Sequence, residues 1–245
     1  MLTQHSITIF SSPTLMYYSL GIDPGTKSMG IAGVFKERSN DKEIVDFVDS
    51  IKPYKKYNYL VRTQVISRYI YQTLLDNIID TMEEKIKTII CSSHDEDYID
   101  DGMMESTLII AIERPPMVFK KRNPETYRKL AIVEGAIISA VTNYIDWLKT
   151  APGVPYAPKL RIVSFNNTKA KKIVTGRGDS SKIDVAGRMR MLYGDRIRTI
   201  KDISKMNKAA KKRYFDQCDA LMYATAGMSP RVLDRNDPTD LCFEI

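Results

Sequence analysis

Two apolar segments of the sequence each end in a carboxylate, and this feature constrains the fold more than any other. Ile22 precedes Asp23 in the run Leu20-Gly21-Ile22-Asp23-Pro24-Gly25, and five apolar residues, 108–112, precede Glu113. Burying an acid at the end of an apolar strand is costly unless a metal ion or a proton compensates its charge. We therefore expect both acids to lie at strand ends and to contribute to one site.

A second acidic pair lies near the end of the sequence. Asp216 and Asp219 are three residues apart in a segment with helical spacing, so both carboxylates lie on one face of a helix. Their apolar neighbours, among them Phe215 and Leu221, make a solvated face a poor explanation. Each strand-end acid alone also has a structural explanation: Asp23 as a turn residue of a hairpin, and Glu113 as a surface acid paired with Arg114.

The apolar pattern predicts three strands, a helix, a strand, a helix, a strand and then further helices. The predicted strands are 17–23, 30–35, 43–51, 107–113 and 160–165, and the predicted helices are 57–87, 124–148, 168–174, 181–193 and 211–226. A Pro-Gly turn at Pro24-Gly25 joins the first two strands as a hairpin. This order predicts an RNase H-like α/β fold, with a mixed five-stranded sheet flanked by helices on both faces.

The length of 245 residues fits one sizeable hydrophobic core. We predict a flexible N-terminal extension (1–16), one RNase H-like domain (17–227) and a C-terminal tail (228–245). No apolar run approaches the ~20 residues of a bilayer span, and the start of the chain lacks the pattern of a secretion signal. Three cysteines without paired spacing indicate a reducing, intracellular compartment: a bacterial or viral-host cytoplasm, with an organelle as the alternative.

Charge is strongly segregated along the sequence. The net charge is +7, and residues 159–213 hold 17 Lys/Arg against 4 Asp/Glu, which favours a polyanionic partner such as nucleic acid. Residues 94–105 are instead acidic, which is typical of a solvated loop.

Four acids that offer oxygen ligands, without imidazole or thiolate ligands, indicate a site for hard divalent cations. Asp23, Glu113, Asp216 and Asp219 offer only carboxylate oxygens, which select Mg²⁺, with Mn²⁺ as a substitute. We expect two such ions, because a pair can activate water and stabilise the leaving oxygen in phosphodiester cleavage. Gly25 and Gly30 are expected to let the backbone approach a ligand phosphate.

With these acids in this order, the sequence resembles the RuvC-type Holliday-junction resolvases of the RNase H-like superfamily. Three blocks carry the resemblance: Asp23 in Gly-Ile-Asp-Pro-Gly, Glu113 in Ala-Ile-Glu, and Asp216 with Asp219 in Asp-Gln-Cys-Asp-Ala-Leu. The glutamate ends a strand after the first helix, as in resolvases, whereas RNase H proper carries it on that helix. The 90 residues between Asp23 and Glu113 and the insertion at 195–213 depart from the compact bacterial pattern.

The resemblance also implies roles for basic and aromatic residues. A segment around Lys171 resembles the lysine-bearing segment of the family, so Lys171 and Lys182 are expected to be catalytic and to stabilise charge at the scissile phosphate. Phe119 either stacks on an unpaired base, as an aromatic wedge does in the bacterial family, or packs in the core. The remaining expected DNA-binding residues are Lys27, Lys120, Lys121, Arg122, Arg128, Lys172 and Arg177.

The function that the resemblance implies is resolution of four-way DNA junctions by paired nicks. Two symmetric cuts need two copies of the site, so we expect a homodimer bound to branched DNA, in recombination, repair or genome processing. The apolar face of 124–148 is then either core or interface. Two alternatives stay open: a nuclease for flaps, forks or RNA/DNA hybrids, and a non-catalytic junction-binding protein.

Overall fold

The computed structural model describes residues 16–25, 28–37, 42–92, 106–114, 124–152, 157–194, 200–233 and 242–244. The strands are β1 (Met16–Asp23), β2 (Met29–Glu37), β3 (Ile44–Ile51), β4 (Ser106–Glu113), β5 (Lys159–Phe165) and β6 (Cys242–Glu244). The α-helices are α1 (Tyr59–Tyr69), α2 (Leu75–Ser92), α3 (Pro124–Thr150), α4 (Asn167–Thr175), α5 (Lys182–Tyr193), α6 (Ile200–Lys205), α7 (Lys208–Gly227) and α8 (Pro230–Leu233). A π-helical turn, Ile70–Leu74, joins α1 to α2, so the predicted helix 57–87 is one helical segment with a π-turn inside it.

The strands form one mixed sheet in the order β3-β2-β1-β4-β5-β6. The pairs β1–β2 and β2–β3 are antiparallel, whereas β1–β4 and β4–β5 are parallel. The five predicted strands therefore form the predicted RNase H-like sheet. The three-residue β6 pairs with β5 and adds a short sixth strand that the apolar pattern does not predict.

Helices cover both faces of this sheet, because alternate residues of each strand point to opposite sides. Leu20 and Ile22 of β1 and Ile112 of β4 pack with α1, α2 and α3 in one buried cluster. Ile109 and Ala111 of β4 pack with α4, α5 and α7 in a second cluster on the other face. The apolar residues of α3 predicted as core or interface, such as Ile137 and Ile145, are fully buried in the first cluster.

The predicted extension 1–16 and tail 228–245 stay predictions. Met16 is buried at the start of β1, and part of the tail forms α8 and β6, while residues 1–15 and 234–241 lie outside the described residues. The acidic loop 94–105 and residues 195–199 of the insertion also lie outside them. None of the helices in the described ranges combines the length and apolarity needed to cross a bilayer.

Candidate active site at the ends of two parallel strands

Asp23 and Glu113 lie side by side because their strands are parallel neighbours. Ile22 of β1 pairs with Ile112 of β4, so the next residue of each strand reaches the same end of the sheet. Both acids alternate with residues of the first core cluster and therefore lie on the face that α7 covers. Their side chains lie close enough to each other to interact directly.

Burial raises the pKa of Asp23 well above its usual value. The hydrogen bond and the charge of Glu113 raise this pKa further, and so do the charges of Asp219 and Asp216. These interactions show that the structure brings all four predicted acids together. The neighbouring negative charges make ionisation of Asp23 unfavourable unless a cation compensates them.

Two glycines allow α7 to bring Asp216 and Asp219 to this end of the sheet. A Cβ added at Gly21 of β1 would overlap the backbone of Ala220 and Ala224, and one added at Gly30 of β2 would overlap the carbonyl oxygen of Asp216. The helix therefore packs directly on the strand backbone. This contact corrects the expectation that Gly30 leaves space for a ligand phosphate, because α7 occupies that space.

Basic and hydroxyl side chains contact the two helical acids. Lys182 Nζ lies 2.6 Å from Asp219 Oδ2, and Lys212 Nζ lies 3.5 Å from Asp216 Oδ2. Ser28 Oγ donates a hydrogen bond of 3.1 Å to the same oxygen of Asp216. Each helical acid thus has an ammonium group as its counter-charge.

Lys182 is placed by the first turn of α5. Ser181 caps this helix: its side chain accepts from the amide of Asp184, whose carboxylate accepts from the amide of Ser181. Burial lowers the pKa of Lys182, but the charge and hydrogen bond of Asp219, together with the charges of Asp23 and Asp216, raise it overall. The Lys182 side chain as a whole remains 52% exposed.

Asp219 shows the opposite balance. Burial raises its pKa, while Lys182 and, more weakly, Lys171 lower it, and the net shift is upward. The two predicted lysines therefore both act on this acid. They lie on different helices, Lys171 on α4 and Lys182 on α5.

Tyr223 is a site residue that sequence reasoning missed. Its side chain is fully buried, and its hydroxyl accepts a hydrogen bond of 2.8 Å from Asn167 Nδ2. Burial raises its pKa far above the usual value, and the charges of Glu113 and Asp23 raise it further. The sequence could have indicated Tyr223, because it lies four residues after Asp219 on the same helix and therefore on the same helical face.

Ser28 was also missed. The sequence gives no indication of its contact with Asp216 beyond its place in the turn between β1 and β2.

The predicted DNA-binding residues are only partly described. Lys27 and residues 119–122 (Phe119, Lys120, Lys121 and Arg122) lie outside the described residues. Arg128 and Lys172 are exposed on α3 and α4. Arg177 is also exposed, but an ion pair of 3.2 Å with Asp179 neutralises much of its charge.

The four acids do not form a preformed metal site in this structure. Among the described residues, no group of three or more Asp, Glu, His or Cys side chains is arranged to hold a metal ion. Lys182 and Lys212 contact the oxygens of Asp219 and Asp216. The donor set still has the all-oxygen chemistry of Mg²⁺ ligands, so the two-ion site stays a prediction.

The raised pKa of Asp23 predicts how stability depends on pH. The folded protein holds the Asp23 proton more tightly than the unfolded chain, whose aspartate keeps the usual value of 3.8. This stabilisation is complete below that value and is lost as the pH rises through the folded pKa. In EDTA, the urea-derived free energy of unfolding should fall from pH 4 to 7 more steeply in the wild type than in Asp23→Asn, which cannot titrate.

Asp80→Asn is the control for this measurement, because Asp80 is an exposed acid on α2. It should keep the wild-type slope. Identical slopes in wild type and Asp23→Asn would show that Asp23 is already ionised in the folded protein at pH 4.

No protein-family model matches the sequence, and no curated protein matches it. Among solved structures, the chain is similar to Thermus thermophilus RuvC (15% identity, TM-score 0.49), with 86% of this chain and 96% of that chain covered. T. thermophilus RuvC in complex with a Holliday junction substrate gives 16% identity and a TM-score of 0.49, with the same coverage. The yeast mitochondrial Holliday junction resolvase Ydc2 gives 12% identity and a TM-score of 0.46, with 85% of this chain and 76% of that chain covered.

Proposed function

We propose that this protein is a structure-selective endodeoxyribonuclease that resolves four-way DNA junctions. The observation that carries the proposal is the meeting of Asp23, Glu113, Asp216 and Asp219 at one end of the sheet, next to Lys182. These acids come from three elements that lie far apart in the sequence. Concentrating so much negative charge is costly for stability, and a catalytic role for divalent cations explains it.

The four carboxylates would hold two Mg²⁺ ions, which, when bound, supply an activated water and a counter-charge for the leaving oxygen. The protein's own residues have separate roles. The carboxylates fix the position of the reacting centre because strand ends and a packed helix carry them. Lys182 and Lys171, now acting on Asp219, would turn to the negative charge of the scissile phosphate.

The position of Glu113 in the fold favours a DNA junction over the other substrates of RNase H-like nucleases. This residue ends β4, which follows α1 and α2, as the resolvase pattern requires, instead of lying on the first helix. Junction resolution then implies two sites on one substrate, and we infer a two-fold homodimer. A basic chain with 17 Lys/Arg in residues 159–213 provides the attraction for branched DNA.

A substrate panel with Mg²⁺ tests this proposal. Synthetic four-way, three-way, flap, linear duplex and RNA/DNA hybrid substrates are incubated with the protein, with and without EDTA. The expected result is paired cuts in the four-way junction, faster than any other cleavage and absent in EDTA. Faster cleavage of linear hybrid would assign the site to a different RNase H-like activity, and junction binding without any Mg²⁺-dependent product would indicate a structural role.

A further inference from the structure

The connection between β3 and α1, residues 52–58, lies at the same end of the sheet as the acids. Asp23 pairs with Gly30 of β2, and Gly30 pairs with Ser50 of β3. Adjacent strands are about 4.8 Å apart, so Ser50 lies roughly 10 Å from Asp23 across two strand spacings. The β3–α1 loop, as we call residues 52–58, therefore begins within reach of a strand of DNA bound at the acids.

This loop has the composition of a single-strand nucleic-acid contact. Its sequence, Lys-Pro-Tyr-Lys-Lys-Tyr-Asn, contains three exposed lysines and two exposed tyrosines. Tyr54 is 59% exposed and Tyr57 is 42% exposed. Aromatic side chains this exposed contribute little to the core, and exposed apolar surface of this kind can mark a binding site. The lysines beside them favour a partner that offers both phosphates and bases for stacking.

The loop is held in a defined conformation. The amide of Tyr57 donates to the carbonyl of Tyr54 at 3.1 Å, and the two rings pack edge to face with centroids 5.7 Å apart. Arg62 Nη2 donates to the carbonyl of Lys55, which ties the loop to α1. Because Pro53 is buried as well, the tyrosines are presented on a fixed platform.

A cleft of about 370 Å³ connects the loop to the candidate active site. Five basic side chains line it (Lys52, Lys55, Arg62, Lys212 and Arg213), and so do Ser28 and Asp216. Lys212 contacts both Ser28 and Asp216, so the basic lining of the cleft reaches one of the four acids. Such a cleft fits a sugar–phosphate backbone in shape and charge.

We infer that the β3–α1 loop and this basic cleft bind a DNA strand that leads into the active site, with Tyr54 and Tyr57 stacking on unpaired bases. The inference rests on the proposed nuclease function and adds to it a substrate-binding surface formed by residues 52–57, 62, 212 and 213. The bases that stack would be those unpaired at the branch point, since paired bases are not available to a side chain.

The test measures affinity for a fluorescein-labelled four-way junction and a labelled single strand by anisotropy, in Ca²⁺ and at several salt concentrations. Lys52→Ala/Lys55→Ala should lower the slope of log Kd against log salt by about 1–2, since each phosphate contact contributes about 0.9. Tyr54→Ala/Tyr57→Ala should weaken binding about fivefold or more, whereas Tyr54→Phe/Tyr57→Phe, which keeps the rings, should stay within about twofold of wild type.

Lys87→Ala/Lys149→Ala is the matched control, because it removes the same charge at the opposite end of the molecule. Lys87 lies near the end of α2 and Lys149 near the end of α3, on the side from which β4 and β5 begin. This variant should shift affinity far less than the loop variant. If the two double-lysine variants lost DNA affinity equally, net charge alone would explain the effect, and the inference would be overturned.

Single-turnover cleavage separates the inference from the proposed function. At sub-saturating protein, cleavage by the loop variants should fall in step with their loss of affinity, because their defect is in binding. If wild type cuts no junction but the loop variants still lose DNA affinity, the inference stands and the proposed function falls. If wild type cuts junctions and the loop variants bind like wild type, or if wild type binds no DNA, the inference is wrong.

Discussion

Replacing Asp23 by asparagine is expected to abolish Mg²⁺-dependent cutting of a four-way junction while leaving junction binding intact. Asparagine keeps the shape and the strand-end position but removes the charge that attracts a divalent cation. Metal ions supply several kcal/mol of transition-state stabilisation, so the cleavage rate should fall by about three orders of magnitude. Binding should persist because removing a negative charge does not weaken attraction to a polyanion. Single-turnover cleavage and anisotropy on the same junction measure the two quantities.

Glu113→Gln and Asp219→Asn are expected to behave in the same way, because their carboxylates interact with the same centre. Asp80→Asn again serves as the control, since this acid on α2 is exposed and remote from the strand ends. Wild-type cleavage by any one of the three site variants would remove that carboxylate from the reaction. Loss of junction binding together with cleavage would instead indicate damage to the fold.

The local apolar pattern was sufficient to predict that the acids lie at strand ends and on a helix. It was not sufficient to predict which residues they contact. The strand ending at Asp23 and the one ending at Glu113 follow from their apolar residues, because strands buried on both faces have nearly continuous apolar sequences. That β1 and β4 are parallel neighbours with Ile22 opposite Ile112 is a non-local fact. The sequence suggests this pairing only through the order of elements, which limits the topologies available.

The misses have physical reasons of their own. Three residues of β6 are too few to show alternation, and they pair only at the edge of the sheet. Arg161, which lies within a predicted strand, is buried and donates to the carbonyls of Val232 and Leu233 of α8, so the helix after α7 depends on a contact between distant segments. Lysines 52, 55 and 212 have no common pattern in the sequence, because a cleft between a loop and a helix exists only after folding.

The close packing of α7 on the sheet predicts a large effect of adding a single methyl group. Gly21→Ala would place a Cβ against the backbone of Ala220 and Ala224, which cannot rotate away as a side chain could. Overpacking of this kind costs about 3 kcal/mol or more of unfolding free energy. Any displacement of α7 moves Asp216 and Asp219 away from Asp23, and a shift of about 1 Å can lower activity by roughly 100-fold.

Gly135→Ala provides the comparison, because a Cβ at this exposed position of α3 would meet no atom within 4 Å. Alanine in a helix interior is favoured over glycine, so this variant should gain about 0.5–1 kcal/mol and keep wild-type cleavage. Urea unfolding of both variants and single-turnover cleavage under folding conditions give the four values required. If Gly21→Ala were as stable and active as wild type, α7 would not rest on the backbone of β1, and the acids of strand and helix would have to meet by another arrangement.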